Sequence, residues 1–355
     1  MPQAKSSWLG TIFGLALIGV CVVAAAGAFA YTAGVFSPDR LTSYKLIDAL
    51  APPQGAYKGF RRNHAKGICF SGTFAANGNG TALSRAEAFQ AGTYPVVGRF
   101  NLGTNDPYVA DAKVRVRGMG LQIVTPGGET WRSAMINLPF FPVSTPDAFY
   151  GLLTASKSSE PDAMKNFAAA HPEFGHFAQW AGSAPWTGSF AEEAYNSLNS
   201  FVFVGPDGTR QTVRWSLQPQ AEVNTISAEE LAALGPNHLE SEIAQRVAGG
   251  PQKWTMAITV ADPGDPTNDP TKAWPEGRRT VDVGVLTVDS IAAEYGAPCR
   301  NINFDPTILP AGMEVSDDPF PAARSSAYAR SYDLRTAEAT DFPHDYLQSE
   351  VSTKP

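Results

Sequence analysis

The chain is 355 residues long, 43% hydrophobic and 17% charged, with a formal net charge of −7: globular composition, with material for one large domain or two modest ones. The acidic balance excludes nucleic acid as the expected partner, and 32 Gly and 28 Pro spread without repeats exclude a bundle or a solenoid. Five His and three Cys, with no dense Cys/His cluster, exclude a zinc enzyme and a disulfide scaffold.

Between Lys5 and Asp39 lie 33 residues without a charge, long enough to span a bilayer as a helix. A buried core helix would carry a polar face. The segment 8–36 is therefore either a single membrane anchor or a secretory signal peptide cut after Ala28-Phe29-Ala30. The length of the apolar run favours the anchor, while its small-residue end at 24–28 fits cleavage. In both cases the flank 1–7, with Lys5, stays cytoplasmic and the chain after about Tyr31 is exported to the periplasmic side.

Residues 37–55 are expected to form a polar, amphipathic spacer, broken by Pro52-Pro53-Gln54-Gly55. Residues 56–340 then read as one domain and 341–355 as a tail. Runs at 95–101 and 113–124 with turn residues between them predict an antiparallel meander, followed by helical material over 147–199. The runs 200–204 and 210–217, joined by Gly205-Pro206-Asp207-Gly208, predict a hairpin. Ser227 caps a helical stretch at 227–249 with Glu229 and Glu230 in its first turn, and further strands are expected at 253–260 and 281–288. No repeated strand-helix alternation and no glycine-rich phosphate loop appears, so a nucleotide-binding fold is not supported. The expected class is α+β: an antiparallel β-barrel core with helical insertions, preceded by one transmembrane or signal helix.

Read alone, His64 in Arg61-Arg62-Asn63-His64-Ala65-Lys66-Gly67 fits a basic surface patch better than a catalytic base, and the scarcity of His in the chain is what raises the catalytic reading. Tyr328 allows more. A phenol ligates iron only as phenolate, and with an ordinary pKa near ~10 it needs a neighbouring positive charge to ionise at neutral pH. Arg324, four residues earlier, lies beside it on a helix. The plainer alternative is an amphipathic helix with a packed Tyr and a solvated Arg. Cys21 falls in the apolar segment, leaving Cys69 and Cys299 as candidates for one bridge that sequence does not decide.

The order and spacing of four runs resemble the haem-dependent catalases: 61–67, Arg99-Phe100-Asn101, Asn137-Leu138-Pro139, and the stretch from Asp318 through Arg324 and Tyr328 to Arg335. The resemblance covers roughly 50–340. It implies haem b as cofactor, Tyr328 as the axial iron ligand and Arg324 as the residue that keeps it ionised. It further implies His64 as the distal base, Asn137 as the distal residue orienting peroxide, and Arg61, Arg99 and Arg335 as propionate partners. Two departures stand out. Asn101 replaces the serine that holds the distal histidine, and the proximal histidine is missing, its place read as taken by Ser216.

Among catalases the chain is most similar to the short catalase-related peroxidases, without the threading arm and C-terminal helical region. That implies a monomer or small homo-oligomer. The implied reaction is reduction of organic hydroperoxides and hydrogen peroxide through an oxyferryl species, with an unidentified reducing donor and weak catalase action. The alternatives are a membrane-tethered barrel that binds haem or a small hydrophobic ligand without turnover, and a haem hydroperoxide isomerase.

Overall fold

The computed structural model describes residues 6–37 and 39–342, so Lys5 and nearly all of the expected tail lie outside the described residues. It divides into two units, one up to Thr42 and one from Ser43 onward. The first is dominated by helix α1 (Ser6–Thr32). Among the described residues its Gly10–Thr32 stretch of 23 residues is the one span long and apolar enough to cross a membrane, a test that a signal sequence also meets. Phe13, Leu17 and Val20 are all exposed, as no core helix would leave them.

The second unit opens with helix α2 (Ser43–Leu50), inside the stretch expected to be a spacer. Leu46, Ile47 and Leu50 form one apolar face and are buried. The Lys157 ammonium donates to the carbonyls of Ala49 and Ala51, and the Asn105 amide to that of Leu50, satisfying the acceptors left free where the helix ends.

The remaining elements are β1 (Gly67–Ala76), β2 (Gly92–Leu102), β3 (Arg117–Val124), β4 (Thr130–Ile136), α3 (Pro146–Ala155), α4 (Ala163–Ala170) and α5 (Phe174–Ser183). After them come β5 (Trp186–Thr187), β6 (Tyr195–Asn196), β7 (Phe201–Val204), β8 (Arg210–Pro219), β9 (Thr225–Ile226), α6 (Ala228–Ala233) and α7 (His238–Gly249). The chain closes with β10 (Gln252–Val260), β11 (Thr280–Ala292), β12 (Met313–Val315) and α8 (Phe320–Glu338).

Eight of these strands form a closed antiparallel barrel in the order β10-β11-β1-β2-β3-β4-β6-β8, with β8 returning to β10 through Trp254↔Pro219 to Val260↔Val213. Closure leaves no free edge within the ring. Alternation along β8 sends Val213, Trp215 and Leu217 inward. The interior is filled with rings, Phe100 stacking on Phe190 with centroids 5.2 Å apart and Trp131 meeting Trp215 edge-on at 5.3 Å.

Two expectations shift. The strand expected from 113 begins at Arg117, because Asp111 pairs with Lys66 at 2.6 Å and accepts the Leu239 N–H at 2.9 Å, which holds 111–113 in a helical turn. Helix was expected to run to 199 but ends at Ser183. Beyond it the buried Arg117 guanidinium binds Thr187, the Ser189 carbonyl and Glu193, and 184–196 forms two short strands with a helical turn at Phe190–Glu192 between them.

Cys69 of β1 is bridged to Cys299 across 230 residues of sequence, with Cα atoms 5.6 Å apart. Both are buried. Replacing the pair by serine is expected to lower the unfolding free energy by about 2–5 kcal/mol. Denaturant melts of the wild type with and without reductant, beside the double variant, check this, and a variant as stable as the oxidised protein would contradict it.

Candidate active site

Helix α8 presents Arg324, Tyr328, Ser331 and Arg335 to one cavity, the i, i+4, i+7, i+11 spacing of a single helical face. The cavity has a volume of about 480 Å³. His64 and Arg61 enter it from the loop before β1, Arg99 and Asn101 from β2, and Leu46, Ile47 and Leu50 from α2. His64 (φ 55) and Leu198 (φ 59), the described non-glycine residues with left-handed backbone, both line it. Such strain persists where the surroundings over-determine it, as at a built site.

The His64 loop is held from several sides. Arg99 donates from Nη1 to the His64 carbonyl (2.8 Å) and from Nη2 to that of Ala65 (3.2 Å). Gly67 lets the start of β1 lie against the same guanidinium, since a Cβ there would come 2.8 Å from Arg99 Cζ. The Asn101 side-chain oxygen lies 2.6 Å from His64 Nδ1, and its amide nitrogen donates to the Arg99 carbonyl at 3.3 Å. An amide oxygen only accepts, so Nδ1 carries the proton and Nε2 is left with its lone pair free. Burial lowers the His64 pKa to about 4, opposed by the Asn101 bond and reinforced by Arg99, Arg324 and Arg61. The ring is neutral at physiological pH.

Across the cavity, Arg324 donates from Nη2 to Tyr328 Oη at 3.2 Å and to the Ala134 carbonyl at 2.7 Å. Its Nη1 donates to Asn199 Oδ1 at 2.7 Å, and Asn199 Nδ2 donates to Asp318 Oδ2 at 3.0 Å. Asp318 also accepts the Phe320 N–H that opens α8, at 2.9 Å. A cation thus sits beside the phenol oxygen, fixed through a neutral amide to a carboxylate. Ser216, expected in the proximal position, instead accepts from Gln218 Nε2 on the barrel wall, and Asn199 is the residue between Asp318 and Arg324.

Asn137, expected beside His64, does not line the cavity. Its oxygen takes the Arg117 N–H and its amide donates to the Arg115 carbonyl and to Glu193. The buried Arg117–Glu193 pair, 2.9 Å apart, draws it to the other side of β3 and β4.

Arg61, Arg99 and Arg335 converge at one end of the cavity. Arg61 Nη2 donates to the Cys299 carbonyl at 3.0 Å, and Arg335 Nη1 to that of Arg300 at 2.6 Å. Arg99 Nε and Arg335 Nη2 are buried with no hydrogen-bond partner. Buried, unpaired guanidinium donors call for an anion. An apolar cavity with a phenol oxygen on one wall, a free imidazole nitrogen on another and unmet guanidinium donors among its lining arginines fits a flat, dianionic haem.

Similarity to known proteins agrees with this geometry. Residues 26–342 match the family model described as Catalase. A catalase-related peroxidase of Synechococcus elongatus is 34% identical over 307 residues, covering 85% of this chain and 91% of that protein. One of Mycolicibacterium paratuberculosis is 31% identical over 299 residues, 83% and 95% of the two chains. In fold, a bacterial catalase (TM-score 0.68, 19% identity) and a fungal catalase (TM-score 0.70, 18%) each align over 78% of this chain, which spans 57% and 59% of their lengths. The chain belongs to the catalase family, haem oxidoreductases that act on peroxide.

Sequence reasoning missed Asn199, Glu294 and the α2 face. Asn199 meets partners 119 and 125 residues away, so no local pattern marks it. The 46, 47, 50 spacing on α2 was a readable apolar stripe.

Proposed function

We propose that the protein is an exported, haem b-dependent peroxidase that reduces organic hydroperoxides as well as hydrogen peroxide, drawing electrons from an external donor. The observation that carries this reading is His64 Nε2, unprotonated and free, in one apolar cavity with the Arg324-paired Tyr328 oxygen. Bound haem would supply the redox-active iron, with Tyr328 as its protein ligand and Arg61, Arg99 and Arg335 at its propionates.

The chain's own residues do the rest. His64 Nε2 takes the proton of the peroxide and returns it to the departing oxygen, which leaves as water or an alcohol. Asn101 holds the ring so that Nε2 faces the cavity. Arg324 donates to the Tyr328 oxygen and sets its orientation, and Asn199 fixes Arg324.

Peroxidase is favoured over catalase action because Asn137 is turned away, leaving no amide at that position to orient a second hydrogen peroxide. Leu46, Leu50, Phe149 and Leu152 give the cavity an apolar wall suited to an alkyl group. Helix α1 and the Cys69–Cys299 bridge support an exported, oxidising location, with the domain tethered if α1 is retained.

The test supplies haem to the full-length protein in detergent and gives it cumene hydroperoxide with a dye donor, or hydrogen peroxide alone at an oxygen electrode. Dye oxidation by the organic peroxide with little oxygen release is expected. Vigorous oxygen release without organic turnover would make it a catalase.

A further inference from the structure

Beyond the three arginines of the cavity stands a carboxylate with no part in the reaction above. Glu294, just past β11, accepts from Arg99 Nη2 at 2.7 Å and from Arg61 Nε at 3.3 Å. It does not line the cavity; it lies behind the guanidiniums. Burial works to raise its pKa, but Arg99 and Arg61 outweigh that and hold it at about 2, so it is ionised throughout the physiological range. Burial likewise lowers Arg61 to about 10 and Arg335 to about 9, both still charged at neutral pH.

The cluster therefore holds three positive charges and one negative, a net of two uncompensated positive charges in a largely buried place. Such a site is stable only when anions complete it. Glu294 uses Arg61 Nε and one amino group of Arg99, so the orphaned Arg99 Nε and Arg335 Nη2 remain for a ligand.

We propose that Glu294 is a positioning residue of the cofactor cradle: it braces Arg61 and Arg99 from behind and cancels one of three buried charges, matching the cradle to the two carboxylates of haem. The proposal rests on the haem reading given above. It assigns two separable effects, bracing and charge.

Glu294→Gln removes the charge and weakens both ion pairs, whereas Glu294→Asp keeps the charge but is one methylene too short to reach both guanidiniums. Full-length protein in detergent is loaded with haem, and two quantities are read: the rate of haem loss to excess apomyoglobin, and the ferric/ferrous midpoint potential. Glu294→Gln is expected to lose haem about tenfold faster, the scale of one charge-assisted hydrogen bond, and to shift the potential positive. Glu294→Asp is expected to lose haem faster with the potential near that of the wild type.

Wild-type loss rate and potential in Glu294→Gln would overturn the proposal and leave the haem reading standing. A wild type that takes up no haem overturns both. If Glu294→Gln does not fold, Glu294→Asp decides: unchanged haem loss in that variant overturns the bracing role.

Discussion

Tyr328→Phe is expected to leave the fold intact and to lower peroxide turnover by more than the ~10–100-fold typical of losing an outer-shell partner. The substitution removes one oxygen from a half-buried ring and keeps the packing along α8. It takes away the atom to which Arg324 Nη2 donates at 3.2 Å, and with it the oxygen proposed to ligate the iron. Arg324→Ala should fall within that ~10–100-fold range, because the phenol remains but its neighbouring cation is gone. Steady-state rates with matched haem content check both. Equal losses in the two variants would mean that Tyr328 acts only through Arg324.

The second large effect lies opposite. His64→Leu is expected to keep haem bound while slowing the reaction with peroxide by about 10²–10⁴, the range of a lost general acid–base group. In the wild type the rate should be level from about pH 6 to 8 and fall as the pH drops toward 4, because the base works unprotonated and burial holds its pKa near 4. The sign follows from the depressed pKa, with the active neutral form lying above it. Stopped-flow measurement of peroxide binding across this range tests it. A midpoint near the ordinary 6.5 would show that His64 is solvated, and loss at alkaline rather than acid pH would assign the base elsewhere. Asn101→Ala should also slow the step, since it frees the ring to adopt either tautomer.

The barrel is legible in part, through its long strands bounded by turn residues, whereas β1, β4 and the two-residue β6 carry no strand expectation. The runs at 95–101, 210–217, 253–260 and 281–288 each fall within an observed strand. The proximal side was legible because Arg324, Tyr328 and Arg335 share one helix, where spacing alone sets which residues meet. What sequence could not reach depends on long-range contacts. Asn137 looked correct locally, yet the Arg117–Glu193 pair, 76 positions apart in sequence, decides where it turns. Ser216 was chosen by its place along the chain, whereas Asn199 holds the role because it falls between Asp318 and Arg324 in space. Asn101 stands out in the sequence only as a departure from the usual serine, and the structure makes its side-chain oxygen the acceptor that orients the His64 ring.

The claim on which all of this depends is that the Tyr328 oxygen meets iron in the cavity that His64 faces. The most direct measurement is the visible and resonance Raman spectrum of the haem-loaded ferric protein, full length, compared with Tyr328→Phe. The account predicts a high-spin ferric haem with phenolate ring modes enhanced in the wild type and absent from the variant. Haem that is not retained by the wild type, or a spectrum unchanged by the substitution, would contradict it.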